Sequence, residues 1–82
     1  MSYTVEIRRK GVFTPRQEQV LVGLARGLTV PQISKRLNVS VHTARRHCRN
    51  IYEKMEVDET QGNAQMQAIV GAIAEGVIAV IK

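Results

Sequence analysis

Three hydroxyl-bearing residues, Thr14, Thr29 and Ser40, each stand just ahead of a segment with helical spacing, and they constrain this 82-residue chain more than any other feature. A side-chain oxygen at such a position accepts from the backbone N–H groups that a helix leaves unpaired in its first turn. Behind Thr14, Pro15 occupies the position where a missing N–H costs nothing, and Gln17 completes a capping box. Phe13 can staple onto the first turn, Val20, Leu21, Leu24 and Leu28 make one apolar stripe, and Gly27 is a terminator. A helix is therefore expected over roughly residues 15–26.

The second segment is shorter. Thr29 caps it, Pro31 is tolerated in its first turn, Ile33 and Leu37 face inward, and Asn38 can take the left-handed conformation that ends it. Ser40 then caps a third, longer segment. A short helix, a tight turn and a longer helix make a helix-turn-helix.

That third segment, "SVHTARRHCRNIYEKM" (residues 40–55), holds both histidines of the chain, its one cysteine and four cations. With side chains placed at about 100° per residue from His42, Ala44, Cys48, Ile51, Tyr52 and Met55 fall between about 180° and 280° and form a core face. Arg45, Arg46 and Arg49 fall opposite, within about 60° of His42. Thr43, His47, Asn50 and Lys54 line a polar flank at about 80–140°. A metal site is not expected: His42 and His47 point about 140° apart, Cys48 lies on the core face, and no further Cys or His exists. No cofactor is expected either.

Arginine at positions i, i+1 and i+4 near the start of a helix is suited to the major groove, where a guanidinium fork meets guanine O6 and N7. Base contacts are expected from Arg45, Arg46 and Arg49. Thr43, His47, Asn50 and Lys54, with His42, are assigned to the DNA backbone, helped by free N–H groups at helix N-termini. The charge distribution agrees. The chain carries a net +5, and eleven of its twelve Lys and Arg lie at or before Lys54. Such a balance calls for an acidic partner.

At the start, "YTVEI" alternates like a half-buried strand, and two readings stand side by side: a frayed arm over residues 1–12, or a strand that pairs with a second subunit. No apolar leader precedes it, so a cytoplasmic location is the default. After Val57 the sequence opens polar and becomes almost wholly apolar from Ala68 to Ile81. An apolar helix from roughly Asp58 to Glu75, extended by the tail, is expected. The apolar run itself, about fourteen residues interrupted by Glu75, is too short for a membrane span of about 20 residues, and burial against another subunit is the economical outcome. Ile69, Ala72, Ile73, Val77 and Val80, within residues 58–82, are the expected dimer contacts.

From Phe13 to Val57 the chain resembles the LuxR/FixJ-type (GerE-like) helix-turn-helix domain of bacterial transcription regulators. The resemblance is carried by "FTPRQEQVLVGLARGLTVPQISKRLNVS", by Ser40, Thr43, Arg45 and His47, and by "NIYEKMEV". It implies an all-α, four-helix bundle over residues 13–82, with the helix after Ser40 in the major groove. Positions matching Arg45, Arg46 and Arg49 contact bases, and those matching Thr43, His47 and Lys54 sit beside the backbone or brace the helix. The fourth helix is the family's usual dimer contact, and two copies read an inverted repeat. Four departures stand out: Ala44 replaces a usual valine, Arg45 a common lysine, and Asn38 and Glu56 replace frequent glycines. "GNAQMQ" (residues 62–67) is an insertion. If helical, it would turn the residues beyond it by about 600°, or about 120° out of register.

The leading expectation is a sequence-specific regulator, bacterial or phage-type, that binds double-stranded DNA as a homodimer. With no room for a receiver or ligand-binding domain in 82 residues, control is expected through abundance, dimerisation or a partner. The alternative is an interaction module or anti-activator whose last helix pairs with a larger regulator. RNA polymerase is a further candidate partner, in a role resembling the DNA-reading end of a sigma factor. An enzyme is not expected, because no acid–base pair, glycine-rich phosphate loop or activated nucleophile can be assembled.

Overall fold

The computed structural model describes residues 3–82. Along the chain run β1 (Thr4–Ile7), α1 (Pro15–Ala25), α2 (Val30–Leu37), α3 (Val41–Lys54), a single 3-10 turn at Glu59–Gln61, α4 (Ala64–Ala74) and β2 (Ile78–Ile81). The expected caps start the helices. Thr14 Oγ1 accepts from the Gln17 N–H at 3.1 Å while Gln17 Oε1 accepts from the Thr14 N–H at 3.0 Å. Thr29 and Gln32 form a second reciprocal box at 3.3 and 2.8 Å, and Ser40 Oγ accepts from the Thr43 N–H at 3.0 Å.

All four α-helices end in one motif, in which a left-handed residue lets two successive N–H groups turn back onto the last turn. The left-handed residues are Gly27, Asn38, Glu56 and Gly76, with φ of 81°, 56°, 55° and 73°. At the end of α3 the Glu56 N–H reaches Glu53 O at 3.1 Å and the Val57 N–H reaches Tyr52 O at 2.9 Å. Asn38 and Glu56 are the positions where glycine is frequent in the resembling family, and the conformation gives the reason: a Cβ is penalised there.

α3 packs across α1 and α2. Val20, Leu21 and Leu24 of α1, Ile33 of α2, and Ala44, Cys48 and Ile51 of α3 are all buried. α1 and α2 meet closely at Gly23, where a Cβ would lie 2.9 Å from Ile33 Cγ1. Phe13 closes one end of this core, and Ala68, Ala72, Val77 and Ile78 bring α4 and the tail into it.

The all-α expectation needs correction at both ends of the chain. β1 and β2 form a two-stranded antiparallel sheet in the register Thr4↔Ile81, Val5↔Val80, Glu6↔Ala79 and Ile7↔Ile78. From Tyr3 onward the N-terminal segment is therefore neither frayed nor dependent on a second subunit; residues 1 and 2 of the expected arm lie outside those described. The Arg8 N–H adds a bond to Val77 O at 2.8 Å, and the Tyr3 hydroxyl donates to Ala25 O at 3.2 Å. The extended apolar helix is absent because Gly76 ends α4, and "VIAVI" after it is rich in β-branched residues that suit a strand.

The segment before α4 also differs. Asp58 caps the 3-10 turn, accepting from the Thr60 N–H at 3.0 Å, rather than starting a long helix. Those hydrogen bonds from Thr60 hold its carboxyl below the usual carboxylate range. Gly62, at φ 80°, breaks the chain before α4 begins at Ala64. Gln67 then ties the two together, its side chain bonding both the N–H and the C=O of Asp58 at 3.2 and 3.0 Å. Residues 62–67 thus turn a corner and start a new helix, so no rotation is propagated through a continuous one.

Candidate nucleic-acid interface

Burial of Ala44, Cys48 and Ile51 fixes the rotation of α3, with Tyr52 and Met55 packed against the same core. Burial raises the Cys48 thiol above its usual pKa, and desolvation, followed by Cys48 and Glu59, raises Tyr52. Both groups stay protonated and belong to the core. Once this face is inside, the opposite one must look out.

His42, Arg45, Arg46 and Arg49 are all exposed and together line one shallow concavity of about 260 Å³ on α3. The ion pairs among the described residues are Arg8–Glu6 at 3.0 Å and Lys10–Glu18 at 3.9 Å, so no carboxylate neutralises this surface. Three unpaired guanidiniums offer a planar fork of donors each, a poor match for a neutral partner and a good one for base edges or phosphates.

The polar flank is less uniform than its spacing implies. Lys54 is exposed, while Thr43, His47 and Asn50 are half-buried. Thr43 Oγ1 accepts from Ser40 Oγ at 2.9 Å, so it braces the cap of α3. His47 Nδ1 is buried without a hydrogen-bond partner, which leaves the other ring nitrogen for any outside contact. His42 lies on the arginine side, as its spacing implies, and lines the same concavity as Arg45, Arg46 and Arg49.

The family model for bacterial regulatory proteins of the luxR family matches residues 11–67, which hold α1, α2, α3 and the start of α4. The chain belongs to the LuxR family. Domains of this LuxR type are helix-turn-helix DNA-binding units of transcription regulation, not enzymes. Searches of curated proteins and of solved structures returned no significant match. β1, the rest of α4 and β2 lie outside the LuxR match. Among the described residues no group of three or more His, Cys, Asp or Glu could hold a metal, and no helix is long and apolar enough to cross a membrane.

The C-terminal residues expected to meet a second subunit separate into two sets. Ala72 and Val77, at 0% and 1% exposure, belong to the chain's own core and cannot form a surface. Ile73 and Val80 remain 45% exposed, and Ile69 is half-buried. Periodicity alone missed Met66 and Val70, which are 60% and 55% exposed. With Ile73 they stand at i, i+4 and i+7 of α4, on one stripe. The spacing that would have found them is plain in the sequence, but which face of so apolar a helix turns outward depends on what it packs against.

Proposed function

We propose that this LuxR-family chain is a sequence-specific regulator that binds double-stranded DNA as a homodimer, with α3 in the major groove. The observation that carries the reading is the cluster of Arg45, Arg46 and Arg49, exposed and without carboxylate partners, directly opposite the buried face of a capped helix. In this reading the arginines take guanine O6 and N7, each bidentate pair contributing about 1–3 kcal/mol of discrimination. Lys54, Asn50, His47 and Thr43 hold the flanking phosphates, and the resulting affinity falls steeply with salt.

The second copy meets the α4 stripe of Met66, Val70 and Ile73, with half-buried Ile69 on the same helix, and exposed Val80 of β2 is kept as a further contact. This set replaces the one that included Ala72 and Val77. The stripe equally supports the alternative, in which a larger regulator supplies the matching helix, and solution mass separates the two. A homodimer in light scattering supports self-association; a monomer that copurifies stoichiometrically with one host regulator supports the other. For DNA reading, selection of bound sequences from a random pool is the test. A consensus with two-fold symmetry is expected, and enrichment without a consensus would sink sequence-specific reading.

A further inference from the structure

We infer that His42 is a fourth base-reading residue, which extends the sequence read by α3 beyond the arginines at its N-terminal end. The inference rests on the proposed docking of α3 in the major groove. Its own observation is the position of His42 in the concavity lined by Arg45, Arg46 and Arg49. A phosphate is reached from the flank of a helix lying in a groove, which is where Thr43, Asn50 and Lys54 stand. A side chain at the centre of the exposed face meets the groove floor, where base edges are displayed.

Two further features fit. His42 is the second residue of α3, and the N-terminal residues of a recognition helix are those that approach base edges. An imidazole is shorter than a guanidinium and needs that closer approach. Its side chain also has no other work: it is exposed and makes no side-chain hydrogen bond or ion pair among the described residues. Thr43 beside it is engaged with Ser40.

The base preference comes from the imidazole. One ring N–H can donate to guanine N7 or O6, adenine N7 or thymine O4, while cytosine offers it no acceptor; the preference is for a purine, with guanine and its two adjacent acceptors foremost. Along the helix axis Arg45 to Arg49 spans about 6 Å, whereas His42 to Arg49 spans about 10 Å. At about 3.4 Å per base step, this lengthens the half-site from about two steps to three. The added position lies at the end of the half-site beyond the one that Arg45 reads.

The test is selection of bound sequences with the wild-type protein, His42→Ala and Arg46→Ala, followed by titration of single-base variants of the wild-type consensus. His42→Ala is expected to erase the purine preference at one terminal half-site position and leave the arginine positions intact. Its affinity for the consensus should fall about fivefold, with little further loss when that base is changed. A uniform loss on every sequence would make His42 a backbone contact and overturn the inference, as would an unchanged consensus. If the wild type itself yields no consensus, the reading of α3 fails and this inference with it. Because His42 is exposed, helicity by circular dichroism should be the same in the variant and the wild type.

Discussion

Replacing Glu56 with glycine should stabilise the domain. Glu56 holds the left-handed position after α3 at φ 55°, where a Cβ crowds the backbone at a cost of about 1–2 kcal/mol. Its carboxylate is exposed, makes no ion pair among the described residues, and stands at the negative end of the helix dipole, which costs about 0.3 kcal/mol more. Against this, glycine carries about 0.5–1 kcal/mol of extra entropy in the unfolded chain. The balance is a gain of about 1 kcal/mol, or a rise in Tm of about 4–8 °C for a domain this size. The two hydrogen bonds of the motif come from the Glu56 and Val57 backbone N–H groups, so they survive the change. Thermal and urea unfolding should be followed by circular dichroism at one fixed protein concentration, because dimerisation would shift the midpoint by mass action. Glu56→Ala is the discriminating control: it removes the charge but keeps the Cβ, and should move stability by no more than about 0.5 kcal/mol. Asn38→Gly should gain less than Glu56→Gly, since asparagine tolerates the left-handed region. If Glu56→Gly were no more stable than Glu56→Ala, the assignment of strain to this position would be wrong.

Arg46→Ala should flatten sequence preference at one half-site position, at about 1–3 kcal/mol, while Lys54→Ala should weaken all DNA about equally and lower the salt slope by about one; equilibrium titration across a salt series checks both. Val70→Asp should convert the proposed dimer to monomer in light scattering with little loss of fold, whereas Ala72→Asp should unfold the chain, because only the second places a carboxylate in the core. Stability should decline as pH rises past 9. The folded state keeps protons on Cys48 and Tyr52, whose pKa values burial raises above 9.0 and 10.0, while the unfolded chain gives them up. Urea midpoints between about pH 8 and 10.5 measure the decline, and Cys48→Ala should reduce it.

The features legible in the sequence were local in origin. Thr14, Thr29 and Ser40 cap helices through bonds that close within three residues, so composition and spacing suffice to place α1, α2 and α3. The rotation of α3 was equally legible, because apolar residues on one side and arginines on the other leave a single sensible way to pack it. The second half had no such polarity. Almost every residue from Ala68 to Ile81 is apolar, so periodicity could not tell which face of α4 was inner, and burial of Ala72 beside exposure of Ile73 was settled by the packing of α4 on α1 and α3. The strands lay further out of reach. Thr4 pairs with Ile81 across nearly the whole chain, and neither four-residue strand has a partner until the helices bring the two ends together. Local hydrogen-bonding chemistry placed α1, α2 and α3, and the division of α3 into apolar and arginine sides set which face it turns outward. Tertiary contact alone decided that the apolar tail would close the chain's own core, because burial is a property of neighbours and not of a residue's place in the sequence.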